Sequence, residues 1–346
     1  MLDDLSETKR RDPEGALTII AAAPEQTIWE ADFQNFSQSS WRPARVVLAG
    51  MGGSALAGLI IKQWFEHDYQ LAVPLEISRD YNLPSYVDDS TLVIAFSVSG
   101  NTEETLSALR DAQARHAYLV IVTAGGQLLD IAQRENVPYI QIAQVAQPRY
   151  GVIMHLRALA RIFEAFQLIN GAYNQIAQQH DFVANFAKNL LPEVTTAQNL
   201  AKQLAEQFHQ KYPIVYASNQ FSPLAYKWKI SFNENGKNVS WFNEFSELNH
   251  NEFIGWTTTS HREKFVIFEL TSTLDYSQIQ KRFRLTNKLL SKHFPTLITH
   301  QMNGDSYIEH ALTELILADF TTIYLAILKN VDPTPVALVE ALKREL

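Results

Sequence analysis

The sequence contains no cysteine. That excludes disulfides, thiolate nucleophiles and cysteine-ligated metals. It has no uninterrupted apolar run approaching the roughly 20 residues of a membrane span, so no membrane partner is expected. Its 29 Lys and Arg are outnumbered by 37 Asp and Glu, giving a formal net charge of −8. No basic run offsets that balance, so no nucleic-acid partner is expected, and an anionic substrate must be held by local donors. The segment Met1 to Pro13 is charged and lacks an apolar core. It does not read as a signal peptide, and a cytoplasmic location is expected. The ten histidines show no H-E-x-x-H pattern and no tight cluster. No metal and no cofactor are therefore expected. With 46% hydrophobic and only 19% charged residues, the 346-residue chain has material for about two cores.

What is present is a recurring strand–turn–helix pattern. Arg45-Val46-Val47-Leu48-Ala49 is a short apolar run ended by Gly50-Met51-Gly52-Gly53-Ser54 and followed by a helix over Ala55 to Phe65. Thr91 to Phe96, the turn Ser97-Val98-Ser99-Gly100-Asn101-Thr102 and the helix Glu103 to Arg115 repeat it. Tyr118 to Val122, Thr123-Ala124-Gly125-Gly126 and Leu128 to Glu135 repeat it again. Such succession predicts an α/β fold: a parallel sheet flanked by helices, with every turn at its carboxyl edge. A second set starts at Pro213-Ile214-Val215-Tyr216 and continues with strands at Lys264 to Leu270 and Thr296 to His300. Helices are expected at Ser222–Asn235, Asp275–His293, Ile308–Lys329 and Pro335–Leu346. The expected division is an N-terminal domain over 1–170 with a helical leading segment, a helical linker over 171–210, and a C-terminal domain over 211–346. A loop is expected at Ser39 to Pro43 ahead of the first strand.

The two turns at 50–54 and 97–102 are the first chemical signal. Glycines after a strand let the backbone approach an anion, and the next helix begins with exposed N–H groups. Gly52, Gly53, Ser54, Ser97, Ser99 and Thr102 are the candidate phosphate-binding residues. Taken singly, each turn reads as an ordinary serine- or threonine-capped helix start. Two at one sheet edge favour phosphate. A dinucleotide fingerprint fails because Ala55 stands where the third glycine is needed, and no Walker-type loop occurs.

These two stretches resemble the signatures of the sugar isomerase (SIS) domain, and more narrowly the bifunctional phosphoglucose/phosphomannose isomerases of archaea and bacteria. Asn233-Glu234-Asn235-Gly236-Lys237 and Ser246-Glu247-Leu248-Asn249-His250-Asn251-Glu252 are similar to that family's N-E-N-x-K and P-E-x-x-H-N-E motifs. The resemblance covers nearly the whole chain and implies two SIS-type, flavodoxin-like domains. It implies Glu234 as catalytic base, His250 as ring-opening acid/base, Arg149 as the cation that steadies the enediolate, and Lys343 as a lysine near the substrate. Thr334 is the loose counterpart of a threonine tied to tolerance of both epimers. A homodimer with a shared site is implied as well, the histidine crossing from the partner on a polar loop from Trp241 to Trp256. Two departures are Val98, where the family commonly has Tyr, and Ser246, where it has Pro.

The chemistry is coherent on its own terms. Aldose–ketose interconversion moves a proton between C1 and C2 through a cis-enediol, which one carboxylate can do. Ring opening needs a second proton carrier, and a histidine titrating near neutrality suits it. A cation stabilises the developing enediolate. Without the resemblance, Glu234, His250, Arg149 and Lys343 would each read as ordinary surface or capping charges. The expected activity is interconversion of glucose 6-phosphate and mannose 6-phosphate with fructose 6-phosphate. The alternative is a non-catalytic phosphosugar-binding protein. A regulator would carry a basic helix-turn-helix segment ahead of one SIS domain, and an amidotransferase a cysteine nucleophile; neither is present.

Overall fold

The computed structural model describes residues 1–38, 40–293 and 296–345. Ser39 of the expected loop and Leu346 of the expected last helix lie outside the described residues. In chain order the elements are α1 (Leu5–Arg11), α2 (Ala16–Ala21), β1 (Phe33–Gln34), β2 (Arg45–Gly50), α3 (Gly52–Asp68), β3 (Leu75–Ser78), β4 (Thr91–Phe96), α4 (Glu103–Ala114), β5 (Tyr118–Thr123), α5 (Gly126–Arg134), β6 (Tyr139–Gln141), α6 (Val152–Ala165), α7 (Ala172–Gln178), α8 (His180–Lys188) and α9 (Leu200–Phe208). They continue with β7 (Tyr212–Ser218), α10 (Ser222–Glu234), β8 (Trp241–Phe245), α11 (Glu252–Gly255), β9 (Phe265–Thr271), α12 (Ser277–Leu290), β10 (Leu297–Gln301), α13 (Tyr307–Leu328) and α14 (Ala337–Glu345). The chain divides into two compact units, Ala23–Asp181 and Met1–Ala22 together with Phe182–Leu346.

The unit Ala23–Asp181 holds a six-stranded sheet in the order β1-β6-β5-β4-β2-β3. β2 through β6 run parallel, and the short β1 pairs antiparallel to β6. Every residue of β4 is buried. That is why Thr-Leu-Val-Ile-Ala-Phe reads as one apolar run: helices cover both faces of a central parallel strand. Val47, Ala49 and Val93 pack on Ala108 and Ala112 of α4, and Ile121 packs with Leu109 and Leu128. Gly50 pairs with Phe96 across β2 and β4. The two turns of interest therefore leave adjacent strands at the same edge.

The second unit is built on a fully parallel sheet, order β10-β9-β7-β8. Its centre is α13, opened by a capping box in which Ser306 and Glu309 satisfy each other's backbone N–H. This helix is long and apolar enough to cross a membrane, yet 94% of its most apolar window is buried inside the unit. Two of its buried carboxylates are paired there. Glu314 accepts from Trp228 Nε1 at 2.8 Å, and Asp319 from Lys227 Nζ at 2.7 Å. A buried charge without such a partner would be costly.

Three features differ from the reading of the sequence. The N-terminal 22 residues belong with the C-terminal sheet rather than with the first one. The reason is long-range bonding: Asp3 Oδ1 accepts from Lys202 Nζ at 3.0 Å and from Thr196 N at 2.8 Å, and Arg11 Nη1 donates to Ile327 O at 2.8 Å. The helical stretch 171–210 is no separate linker. α7 ends the first unit, and α9 packs on α13 in the second. Finally, Trp241–Phe245 is not part of a loop but the edge strand β8, paired with β7.

Candidate active site

At the carboxyl edge of the first sheet, the turn after β4 is folded on its own hydroxyls. Ser97 Oγ and Thr102 Oγ1 share a hydrogen bond of 2.7 Å, and Ser97 Oγ and Ser99 Oγ lie 3.3 Å apart. Gly100 N donates to Ser97 Oγ and Asn101 N to Ser99 Oγ. Thr102 is the N-cap of α4, with its side chain making no capping bond. Three hydroxyls thus converge at a helix N-terminus, where the partial positive charge of the first N–H groups favours an anion. Ser97 is buried and Ser99 exposed. Val98 is 6% exposed, so the departure at this position points into the core and leaves the hydroxyls intact.

The neighbouring turn after β5 is fastened to this one. Asn101 Oδ1 accepts from Gln127 N at 3.0 Å, and Gly100 O accepts from Leu128 N. Gly100 has φ 70°, and a Cβ there would lie 1.7 Å from Gly125 O. Only glycine can occupy this position. Asn101 was not singled out in the sequence, though the asparagine of an S-G-N-T turn is a visible signal.

The turn after β2 completes the edge. Gly52 is exposed, whereas Gly53 and Ser54 are buried in the first turn of α3. A Cβ on Gly53 would meet Pro148 O at 3.1 Å. That close approach brings the Pro148–Tyr150 turn, and with it Arg149, against the first glycine turn. Arg149 is 3% exposed. Its Nη1 donates to Gln147 Oε1 at 3.1 Å, and its guanidinium lies 4.8 Å from the Tyr150 ring centroid. Beneath, His155 of α6 is fully buried, edge-on to Phe96 at 5.0 Å. Burial pushes its pKa down to about 3, against a weaker opposing pull from the Gly53 backbone. The ring is neutral at physiological pH, so Arg149 is the cation of this group. The unit therefore brings together Gly52, Gly53, Ser97, Ser99, Thr102 and Arg149, with Ser54 packed underneath.

The second unit carries the remaining candidates. Glu234 ends α10, and its neighbours are pinned. Asn233 Nδ2 donates to Asn238 O at 2.9 Å. Asn235 is buried and donates to Asp319 Oδ1 at 3.0 Å and Thr322 Oγ1 at 3.1 Å. Lys237 links this segment to the loop holding Thr334, which is 1% exposed. Glu234 and the Thr334 loop are thus gathered in one place. His250 is presented elsewhere, exposed after the short turn Glu247–Asn249 that follows β8. Its segment is anchored despite Ser246. Tyr216 OH bonds to Glu252 Oε1, Trp256 Nε1 donates to Tyr216 OH at 3.0 Å, and Asn249 Nδ2 donates to Thr286 Oγ1 at 2.9 Å. Phe245 and Trp256 are core anchors, whereas Trp241 and Phe242 are exposed at the sheet edge. Lys343 is exposed on α14, alongside exposed Leu338, Val339 and Leu342.

The carboxyl edge of this second sheet differs in kind. After β9, Asp275 Oδ2 accepts from Ser272 N at 3.0 Å, and Ser272 Oγ meets His310 Nε2 at 2.8 Å. Burial raises the Asp275 pKa, with hydrogen bonding to Ser218 and Ser272 opposing. A carboxylate, rather than a set of hydroxyls, closes the turn after β9. No group of three or more His, Asp or Glu able to hold a metal ion occurs among the described residues.

Comparison with known proteins gives these arrangements a context. The SIS domain model matches residues 40–147, and that of the bacterial phospho-glucose isomerase C-terminal SIS domain matches residues 197–346. A bifunctional phosphoglucose/phosphomannose isomerase of Caldicellulosiruptor bescii is 36% identical over 304 residues, 87% of this chain and 89% of that one. The chain belongs to the bifunctional phosphoglucose/phosphomannose isomerase family. The protein of that description from Thermoplasma volcanium is 33% identical over 304 residues, covering 87% and 91% of the two chains. A glucose-6-phosphate isomerase-like protein of Thermus thermophilus shares the fold with a TM-score of 0.68 at 17% identity, covering 100% and 99% of the two chains. Both sheets are those of SIS domains, as the turn signatures imply.

Proposed function

We propose that the protein interconverts glucose 6-phosphate and mannose 6-phosphate with fructose 6-phosphate through a cis-enediol. The observation that carries this reading is the hydroxyl-lined turn of Ser97, Ser99 and Thr102 at the start of α4, in a chain whose relatives are named for these two activities. The turn holds the phosphate through hydroxyls and backbone N–H groups. His250 passes protons between O1 and the ring oxygen to open the sugar. Glu234 takes the C2 proton of the aldose and returns it to C1. Arg149 stabilises the negative charge that develops on the enediolate oxygens. Lys343 and Thr334 are assigned to the substrate on motif alone. The non-catalytic alternative is not favoured, because those relatives are named as enzymes.

A cytoplasmic, metal-independent reaction is part of the proposal. Purified protein should convert all three sugar phosphates in a coupled assay, at rates unchanged by exhaustive chelation. Failure to turn over any of them would remove the reading. Loss on chelation that zinc restores would remove its metal-free part.

The active form is proposed to be a homodimer in which His250 serves the partner's site. The support is the resemblance together with the exposed positions of His250 and, in the same segment of chain, of Trp241, Phe242 and Ile254. Mixing inactive Glu234→Gln and His250→Ala proteins under subunit exchange should restore up to about a quarter of the wild-type rate, since one composite site in a mixed dimer is intact. No recovery despite demonstrated exchange would put both groups on one chain.

A further inference from the structure

We propose that Lys237 is a positioning residue for proton transfer, setting the place of Glu234 relative to the Thr334 loop. The proposal rests on the assignment of Glu234 as the base. Lys237 stands three residues after Glu234, just past the end of α10, with φ 46°. A lysine in the left-handed region is strained and persists where its surroundings hold it. Here its ammonium donates to three main-chain carbonyls: Glu234 O at 2.5 Å, Pro335 O at 2.6 Å and Pro333 O at 3.0 Å. An ammonium offers three donors, and these acceptors come from two segments about a hundred residues apart in sequence. Two of them flank Thr334.

A second lysine holds the peptides that follow Glu234. Lys329, at the end of α13, donates to Gly236 O at 2.8 Å and Lys237 O at 2.7 Å. Burial lowers its pKa. Asn235 is tied to Asp319, which also accepts from Lys227 and from Ser231 Oγ at 2.9 Å. The backbone of residues 234–238 is thereby fixed onto α13, while the Glu234 side chain stays partly exposed. A carboxylate that serves two adjacent carbons must be placed within about 0.5 Å, and a displacement of about 1 Å costs on the order of a hundredfold in rate. Lys237 is the bond that transmits this fixity to both the base and the loop beside it. A lysine that merely ends a helix would have no reason to hold Pro333 and Pro335.

The test compares full-length Lys237→Met and Lys237→Arg with wild type and with Glu234→Gln. Met removes all three bonds. The guanidinium of Arg keeps the charge but holds its donors in a rigid planar fork, a poor match to three carbonyls converging on one ammonium. Lys237→Met should lose about 10–100-fold in kcat on both aldoses. KM and inhibition by inorganic phosphate should stay within about twofold, because the phosphate turn is untouched. Lys237→Arg should fall between. Wild-type kcat in folded Lys237→Met, or a loss confined to KM, would overturn the proposal. If Lys237→Met does not fold, Lys237→Arg decides: a kcat loss at unchanged KM supports positioning, and wild-type kcat refutes it. Glu234→Gln separates the two levels. Turnover retained there removes the base assignment itself. Loss there, with both Lys237 variants like wild type, removes only the positioning role.

Discussion

Glu234→Gln is expected to remove glucose 6-phosphate and mannose 6-phosphate turnover together, each by about 10²–10⁴-fold in kcat. Glutamine keeps the shape of the side chain but cannot accept and return a proton. The backbone around it is anchored through the side chains of Asn233, Asn235 and Lys237 and the carbonyl of Glu234. KM should change little, because phosphate binding is assigned to the turn after β4. The joint loss follows from the intermediate. The two aldoses differ only at C2, and C2 is planar in the enediol. One base can therefore serve both if the intermediate rotates about C2–C3 before reprotonation, and Thr334 is the small residue assigned to leave that space. Coupled assays on each aldose would check this. Loss of glucose 6-phosphate turnover with mannose 6-phosphate turnover intact would mean two separate mechanisms.

The second large effect is expected from Gly100→Ala. The new methyl would sit 1.7 Å from Gly125 O and 2.8 Å from Thr123 Oγ1, on a residue whose φ is 70°. Neither turn can yield without breaking the bonds that join them, Leu128 N to Gly100 O and Gln127 N to Asn101 Oδ1. A destabilisation of about 3–5 kcal/mol is expected, from backbone strain and steric overlap combined. Urea unfolding of the two proteins would measure it. Inorganic phosphate should also protect the variant far less than wild type, since stabilisation by a ligand follows its affinity. Ser99→Ala is the milder companion: it removes one exposed hydroxyl and should weaken phosphate binding with little change in stability. Equal stability and equal phosphate protection in Gly100→Ala would show that the turn is not held as described.

The strands and helices were legible where local pattern and burial coincide. β2, β4 and β5 are short apolar runs ended by glycine or serine turns because they are central parallel strands, covered on both faces. The Ser97–Thr102 turn was legible for the same local reason, since its hydroxyl bonds close within six residues. β8 was missed because an edge strand needs no continuous apolar run. Asn243 and Glu244 interrupt Trp241–Phe245, and only its pairing with β7 makes it a strand. The placing of Met1–Ala22 escaped reading because Asp3, Lys202, Arg11 and Ile327 meet across separations of about 200 to 300 residues. Nothing in a local window encodes such partners.

The sequence by itself determined the chemistry on offer. Without cysteine or a histidine cluster, the chain is left with carboxylate, imidazole, guanidinium, ammonium and hydroxyl groups, and its motifs name the family. Tertiary structure alone decided how those groups are held. Asn101 joins two turns, Gly53 admits the Arg149 segment, Asp275 closes the edge of the second sheet, and Lys237 binds Glu234 to the Thr334 loop. Each depends on a main-chain N–H, a main-chain carbonyl or a close backbone approach. Every residue type carries those backbone groups, so their pairing is invisible in a string of side chains and is set only when the chain has folded.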